Sequence, residues 1–419
     1  MPRAPRTKRV QLSQTALLPI PLAPRGASRV SRRLFATACA GDFASHLFFG
    51  ALSFRAQELH ADSFSTGLVG LAGDGTYVLG ALFLGRFWDS RSRRKVITCA
   101  LVLMALGLLA ASAAPSLFLF SLAFVLFRIG SSLFWPVLQS RLSDEAPADL
   151  GRAVCAFNLS WALGKCVSYS LNSYLFSRGN WTAVDSIALA SAAALAAAFL
   201  VPRDVDRPTA EHRRTSTQSA PPGLPQRLRI ARLVMFLGAC VSVIVLNQAA
   251  PILRARGLGE ETGNILLATI VAVQIGVFEW IRRRPHSVGR SAPLMGACGL
   301  LVTALVMFLM AKTVPWMVFA AVLTGIGIGV GYVQSLVLSL AVPVSAADGA
   351  GKHEAVLGAG NALIAPAAGL AANVLGFADG AIWFGLGFVL LGGGYAVFRL
   401  CLIDRTSGQG IVATERSSA

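Results

Sequence analysis

Charged residues are scarce in this sequence. They make up 14% of its 419 residues, whereas a typical soluble protein has about 25%. Hydrophobic residues make up 55%. This composition excludes a water-soluble globule and a disordered or collagen-like chain, and it indicates a protein with many membrane-spanning helices.

The sequence also lacks the usual motifs of metal and nucleotide sites. Its seven cysteines form no C-x-x-C pair and lie in or beside apolar runs, so we interpret them as packing residues. The five histidines form no H-E-x-x-H pair, and Gly164-Lys165 is followed by Cys166 without the earlier glycine of a phosphate-binding loop. We therefore expect no metal, no cofactor and no direct use of ATP.

Long apolar runs dominate the chain. A hydrocarbon core about 30 Å thick needs about 20 apolar residues in a helix, and twelve runs approach or exceed that length. The runs are 34–54, 65–86, 96–113, 116–138, 153–176, 183–201, 230–251, 262–281, 292–311, 315–341, 354–377 and 380–402. We predict an all-α polytopic membrane protein with 12 transmembrane helices.

The net charge of +17 is distributed between the apolar runs and not on one face of a soluble domain, which argues against a nucleic-acid partner. Twelve spans place both termini on one side. Thirty of the 37 Lys and Arg residues lie on that side, five lie on the other, and two lie inside spans. The positive-inside rule then predicts cytoplasmic termini in the cell (inner) membrane.

A polar interruption at 202–229, rich in Pro, Ser, Thr and Arg, divides the chain evenly. We predict a basic, disordered tail at 1–33, six-helix bundles at 34–201 and 230–402 joined by this cytoplasmic linker, and a second tail at 403–419. Two pseudo-symmetric bundles with a central loop are typical of repeated transporter folds, which bind solute between the halves.

The loop between spans two and three carries the most informative motif, a glycine, an acid four residues later, and then a basic pair. These residues are Gly85, Asp89, Arg93 and Arg94. In this pattern the sequence resembles the loop signature of the major facilitator superfamily, although Ser90 and Ser92 depart from it. The resemblance implies a secondary transporter that moves a small solute by alternating access. A small residue allows close helix approach and a carboxylate can hold the contact, so we predict a gating role for these four residues.

Five ionisable residues lie inside the spans, where each costs at least about 2.5–3.5 kcal/mol at the bilayer centre. They are Asp42, His46, Asp74, Arg128 and Lys165. One interpretation is structural: the acids pair permanently with the cations. The other is functional: Arg128 and Lys165 attract an anionic or polar solute, while Asp42, His46 or Asp74 exchanges a proton as the cavity opens to each side.

Uncharged polar and aromatic residues of both halves complete the predicted solute site. They are Trp135, Asn158, Trp161, Asn247, Gln248, Tyr332 and Gln334. Ordinary helix packing accounts for many of them equally well.

We thus expect a monomeric, proton-coupled secondary active transporter in the lipid bilayer that is not an enzyme. One alternative is a drug or amphiphile exporter of the same fold, although span five lacks the Gly-Pro and double-glycine signature of proton-driven drug exporters. Others are a sensor that moves no solute and a membrane-embedded enzyme.

Neutralising the predicted gate tests the loop motif. We expect Asp89→Asn to slow transport and to leave solute affinity largely intact, because the residue holds the contact between helices and not the solute. Exchange rates in vesicles and equilibrium binding in detergent measure the two quantities. A parallel loss of affinity and rate would contradict a gating role.

Overall fold

A computed structural model describes residues 32–87, 92–145, 150–202, 224–341 and 346–417. Within these ranges the regular structure is helical. The α-helices are α1 (Arg32–Glu58), α2 (Ser63–Phe87), α3 (Arg93–Ala113), α4 (Leu117–Glu145), α5 (Leu150–Phe176), α6 (Ala183–Leu200), α7 (Leu224–Asn247), α8 (Ala249–Ala255), α9 (Glu260–Arg283), α10 (Ser291–Met310), α11 (Val314–Ala341), α12 (Ala346–Leu375) and α13 (Gly380–Ser417).

Ten of these helices are long and apolar enough to cross a membrane. The other two long helices are α1 and α5, each of 27 residues. They carry Asp42, His46 and Lys165, which lower their hydropathy. Large apolar side chains such as Phe118, Phe199 and Leu391 point outward, as expected for surfaces in contact with lipid. The predicted all-α polytopic fold class is confirmed, and the chain is an integral membrane protein. The count of 12 transmembrane helices stays a prediction, because ten of the described helices meet the length and hydropathy of a membrane span.

Several helix ends differ from the predicted spans. The helices α7 and α12 begin at Leu224 and Ala346, before the predicted starts at 230 and 354, and α13 continues to Ser417. Apolar runs mark only the part of a helix that lipid can surround, whereas backbone hydrogen bonding continues through polar turns. The predicted linker and the second tail therefore overlap helices.

One predicted span is interrupted. The run 230–251 becomes α7 and the short helix α8, with a break at Gln248. Pro251 lies three residues after the break, and a proline has no backbone N–H to continue the hydrogen-bond ladder of the preceding helix.

The first half of the molecule, α1–α6, packs on the second half, α7–α13, mainly through two helix pairs, α2 with α12 and α5 with α9. Small residues let α2 approach α12 along its whole length. The glycines whose Cα faces the opposite backbone in this pair are Gly67, Gly351 and Gly369. In the second pair, Ser173 Oγ of α5 donates to Glu261 O of α9 at 3.0 Å.

We call the face where α1 begins and α13 ends the terminal face, and the other the distal face. On the distal face Asp62 accepts a hydrogen bond of 2.8 Å from Asn373 of the second half. It also accepts one of 2.7 Å from Ser65 N at the start of α2. Hydrogen bonds from Ser65, and then from Asn373, hold the pKa of Asp62 below its ordinary value. The distal contact between the halves therefore involves an ionised carboxylate.

Close packing within the first half depends on a glycine where α3 crosses α4. A Cβ atom at Gly130 would lie 2.5 Å from Ala100 O and 2.8 Å from Met104 N. Backbone atoms at these distances cannot move aside without shifting a helix.

We expect Gly130→Ala to destabilise the protein by about 1–3 kcal/mol, the usual cost of overpacking. The matched control is Gly296→Ala in α10, where an added Cβ meets nothing within 4 Å. That change should be neutral or slightly stabilising because alanine is the better helix former. Thermal unfolding in detergent compares the two, and equal melting temperatures would refute the packing argument.

Candidate transport site

Buried and half-buried ionisable residues lie in two groups on the helices between the halves. The first group is on α1 and α5. His46 Nδ1 lies 3.2 Å from Asp42 Oδ1 and 3.0 Å from Asp42 O. Lys165 interacts electrostatically with both residues, and its Nζ lies 6.0 Å from the ring centroid of Trp161. We call Asp42, His46 and Lys165 the Asp42 group.

Helix spacing and one glycine assemble this group. Asp42 and His46 are four residues apart and so share one face of α1. Gly164 faces the carbonyl oxygen of Cys39 so closely that any side chain would collide with it. This approach of α5 to α1 places Lys165 beside Asp42.

The second group pairs α2 with α4. Arg128 and Asp74 form a hydrogen-bonded ion pair and are 6% and 5% exposed. The Arg128 guanidinium lies 4.0 Å from the ring centroid of Tyr77 and 5.5 Å from that of Phe49. The centroid of the Phe49 ring is also 5.3 Å from that of the His46 ring. A single aromatic ring therefore lies between the two groups.

A third set of residues joins the halves. Glu354 of α12 is 2% exposed. Its Oε2 accepts a 2.5 Å hydrogen bond from Tyr77 Oη of α2, and its Oε1 accepts one from Gln139 Nε2 of α4. Gln139 Nε2 is also 3.4 Å from Tyr332 Oη of α11. We call Tyr77, Gln139, Tyr332 and Glu354 the Glu354 network.

Aromatic rings extend this contact between the halves. Trp161 of α5 lies 5.2 Å from Tyr332 and 5.5 Å from Phe278 of α9, centroid to centroid. Trp161 Nε1 donates to Asn158 Oδ1 at 3.0 Å. Three of the predicted solute-binding residues, Asn158, Trp161 and Tyr332, thus lie in one region between the halves.

Around the Asp42 group and the Asp74–Arg128 pair, three buried polar atoms have no hydrogen-bond partner among the described residues. They are Asp42 Oδ2, Arg128 Nε and Asn158 Nδ2. Buried polar atoms are nearly always hydrogen-bonded. Two donors and one acceptor are thus available to a polar solute.

Other predicted solute-binding residues lie elsewhere. Gln334 uses its side-chain amide on the turn before α10, accepting from Gly289 N at 2.7 Å and donating to Ser287 O at 3.3 Å. Gln248 donates to Ser63 O at 3.2 Å on the distal face. Trp135 is half-buried and packs on Phe134, 4.9 Å between centroids.

Asn247 is the last residue of α7 and is buried against α2, where Gly70 leaves room for its amide. Helical periodicity cannot distinguish residues at different depths on one face. This is why the sequence grouped Asn247, Gln248 and Gln334 with the central residues.

The predicted gating residues are only partly described. Gly85 lies in the last turn of α2, and Arg93 and Arg94 begin α3. Ser92 caps α3 by accepting from Lys95 N at 3.4 Å. Asp89 lies outside the described residues.

The second half also contributes ionisable groups, which the sequence prediction lacks. His353 and Glu354 of α12 are buried. The predicted span begins at Glu354, whereas α12 begins eight residues earlier, so Glu354 lies within the helix. The spacing of Asp74 and Tyr77, and of Arg128, Trp135 and Gln139, continues the polar faces of α2 and α4 and could have indicated the network.

Comparisons with known proteins agree with this architecture. The family model described as Major Facilitator Superfamily matches residues 34–372, so the chain belongs to that superfamily. No curated protein matches the sequence.

Solved structures share the fold at low identity. A bacterial homolog of the human lysosomal transporter Spinster, in an inward-facing and unoccupied conformation, has 15% identity and a TM-score of 0.63, covering 90% of this chain and 96% of that one. For the human organic anion transporter MFSD10 the values are 16%, 0.64, 88% and 99%. For a variant of the nucleoside transporter NupG they are 14%, 0.65, 89% and 99%.

The Asp74–Arg128 pair can be tested by removing one partner. We expect Asp74→Leu to cost about 3–5 kcal/mol, because Arg128 would be left buried without its carboxylate. The double variant Asp74→Leu/Arg128→Met should be more stable than Asp74→Leu. Glu58→Gln is the control, because the Glu58 side chain is 35% exposed on the distal face, Arg55 also donates to Ala114 O, and exposed pairs contribute about 0–1 kcal/mol. Thermal unfolding ranks the stabilities of these variants. A double variant less stable than Asp74→Leu would contradict the expected order.

Proposed function

We propose that this superfamily member is a secondary active transporter that moves a small polar solute across the cell (inner) membrane by proton-coupled alternating access. Buried charges on helices between the two halves carry the proposal. Such charges are costly in a bilayer and are rarely retained without a transport or coupling role. The solved structures with this fold include an organic anion transporter and a nucleoside transporter. This supports a small-molecule cargo, whose chemical class must be inferred from the site.

The solute-binding residues we propose are Arg128, Lys165, Asn158, Trp161 and Tyr332. Arg128 and Lys165 each lie beside a carboxylate of their own half. A solute that binds here therefore meets cations whose charge is partly balanced by neighbouring carboxylates. This favours a polar molecule with both donors and acceptors over a simple anion.

For the proton we propose Asp42, His46 and Asp74, whose neighbours include both charged and neutral groups. For the gate on the terminal face we propose Gly85, Asp89, Arg93 and Arg94. The charge distribution between spans supports a cytoplasmic terminal face.

A drug or amphiphile exporter is the second candidate. The contact of Trp161 with Phe278 and Tyr332 favours it, because aromatic faces bind flat apolar molecules and organic cations. Amphiphilic cations therefore belong among the solutes to be tested.

Transport is tested in two steps. Thermal-shift screening of purified protein against anionic metabolites, sugars, amino acids and amphiphilic cations identifies a ligand, since saturation at 100 times Kd stabilises by about 2.7 kcal/mol. Uptake of that ligand into proteoliposomes should then follow a pH gradient and cease when a protonophore collapses it. Unchanged accumulation without the gradient would refute proton coupling.

Two lysine variants, one in the proposed solute site and one on the surface, can be compared in the same uptake assay. Lys165→Met should reduce uptake at least about tenfold, the effect of losing about 1.4 kcal/mol of solute interaction. Lys312→Met should leave it unchanged because Lys312 is exposed beyond the end of α10. Turnover of a substrate in detergent, without a sealed compartment, would indicate an enzyme instead.

A further inference from the structure

We infer that Glu354 is a proton-binding site whose occupancy closes the terminal face. The inference deepens the proposed transport function and rests on it for its role in the cycle. Glu354 is buried, and both of its carboxyl oxygens accept hydrogen bonds from the other half of the molecule. The contact lies about 12 Å along α12 from its first residue, at 1.5 Å per residue.

Position between the halves distinguishes Glu354 from the other buried acids. Asp74 pairs with Arg128, and Asp42 with His46, both within the first half. A half that moves as a rigid body keeps such pairs intact. When the halves separate on the terminal face, however, Glu354 loses Tyr77 and Gln139 together. Its surroundings therefore change most between open and closed states.

Charge balance requires a proton in the closed state. Among the described residues no cation lies within ion-pairing distance of Glu354, and its two partners are neutral side chains. A buried carboxylate without a counterion is strongly unfavourable. Binding a proton removes the charge, whereas opening to water solvates it.

The network can also accommodate the added proton. Gln139 Oε1 is buried and has no hydrogen-bond partner. The oxygen and nitrogen of an amide can exchange places by rotation. After rotation, Gln139 Oε1 can accept the new O–H of Glu354, while Tyr77 Oη continues to donate to the other carboxyl oxygen.

Of the charged groups, Arg128 and Asp42 act on Glu354 electrostatically, but both are already paired in the first half. The helices packed on α12 are α2, α4, α7, α11 and α13. The charged and titratable groups on these helices and on α12 itself include Asp74 and Tyr77 of α2, Arg128 and Arg141 of α4, Arg227 and Arg232 of α7, Tyr332 of α11, Asp348, Lys352 and His353 of α12, and Arg399 and Asp404 of α13.

Several of these groups have other partners. Arg232 bonds to Ser339 at 3.1 Å, Lys352 to Asp348 at 2.5 Å, and Asp404 to Arg227 at 3.1 Å. His353 Nδ1 lies 3.0 Å from Ser335 Oγ. The proton on Glu354 thus enters from water on the terminal face, is enclosed when the halves close, and returns to that water when they open.

The opening of the terminal face can be measured in the absence of solute through the accessibility of a native cysteine. Cys155 of α5 is 1% exposed and lies within electrostatic range of Glu279 and Arg282 of α9, at the terminal end of the contact between the halves. Alkylation of the full-length protein in detergent by N-ethylmaleimide, quantified by mass spectrometry, measures its accessibility. Exposed Cys401 corrects for the pH dependence of the reagent.

The Cys155/Cys401 labelling ratio should rise with pH by up to tenfold per unit, the limit for release of one proton on opening. Closure is favoured at low pH, where Glu354 is protonated, and is lost as the pH rises. Glu354→Gln, which is neutral at every pH, should keep the ratio constant within about twofold. Glu58→Gln, which changes a carboxylate on the distal face, should behave like the wild type.

Tyr77→Phe provides a second test that leaves the carboxylate in place. Loss of one hydrogen bond across the halves should weaken closure and move the rise to lower pH. A constant ratio in the wild type, a rise that persists in Glu354→Gln, or a Tyr77→Phe profile identical to the wild type would each overturn the inference. If the ratio depends on Glu354 while no solute is ever accumulated, only the transport proposal fails.

Discussion

Every feature of this molecule's interior depends on the free-energy cost of a charge in a medium of low dielectric constant. An isolated ion in the bilayer interior has neither water nor a counterion, so the fold must supply compensation at short range. Arg128 obtains it from Asp74 and from the face of Tyr77. In the α1–α5 pair, Gly164 allows the close approach that brings Lys165 within electrostatic range of Asp42.

The same constraint distinguishes buried charges by how their surroundings change. A pair within one half, such as Asp74 and Arg128, keeps its partner when the halves separate. A carboxylate that accepts hydrogen bonds from neutral groups of the opposite half loses those bonds when the halves separate. Glu354 is in this position, and so its protonation and the closure of the terminal face are thermodynamically linked.

In this conformation the two halves are in contact on both the distal and the terminal face. The Asp62–Asn373 hydrogen bond and the Gln248–Ser63 bond join the halves on the distal face. The Glu354 network does so nearer the terminal face. In the proposed alternating-access cycle, one of these sets breaks while the other holds. The two sets differ in chemistry: an ionised, partly hydrated carboxylate on the distal side, and a dry carboxyl group on the terminal side.

The sequence by itself determined the class, the fold and the approximate positions of the long helices. Long apolar runs follow from bilayer thickness, and the loop residues Gly85, Asp89, Arg93 and Arg94 indicated the superfamily to which the chain belongs. The sequence also identified Asp42, Asp74 and Arg128 as ionisable residues inside the membrane-spanning helices, and these three are buried.

Only the tertiary structure decided the partners of those charges. Helical periodicity gives the face of a residue but neither its depth nor the helix opposite, so Gln334 and Gln248 could not be separated from the centre. Glu354 was overlooked because polar residues at the start of α12 hide the true beginning of the helix. The pairing of Glu354 with Tyr77 and Gln139, more than two hundred positions away, arises from the packing of α12 on α2 and α4, which no local pattern encodes.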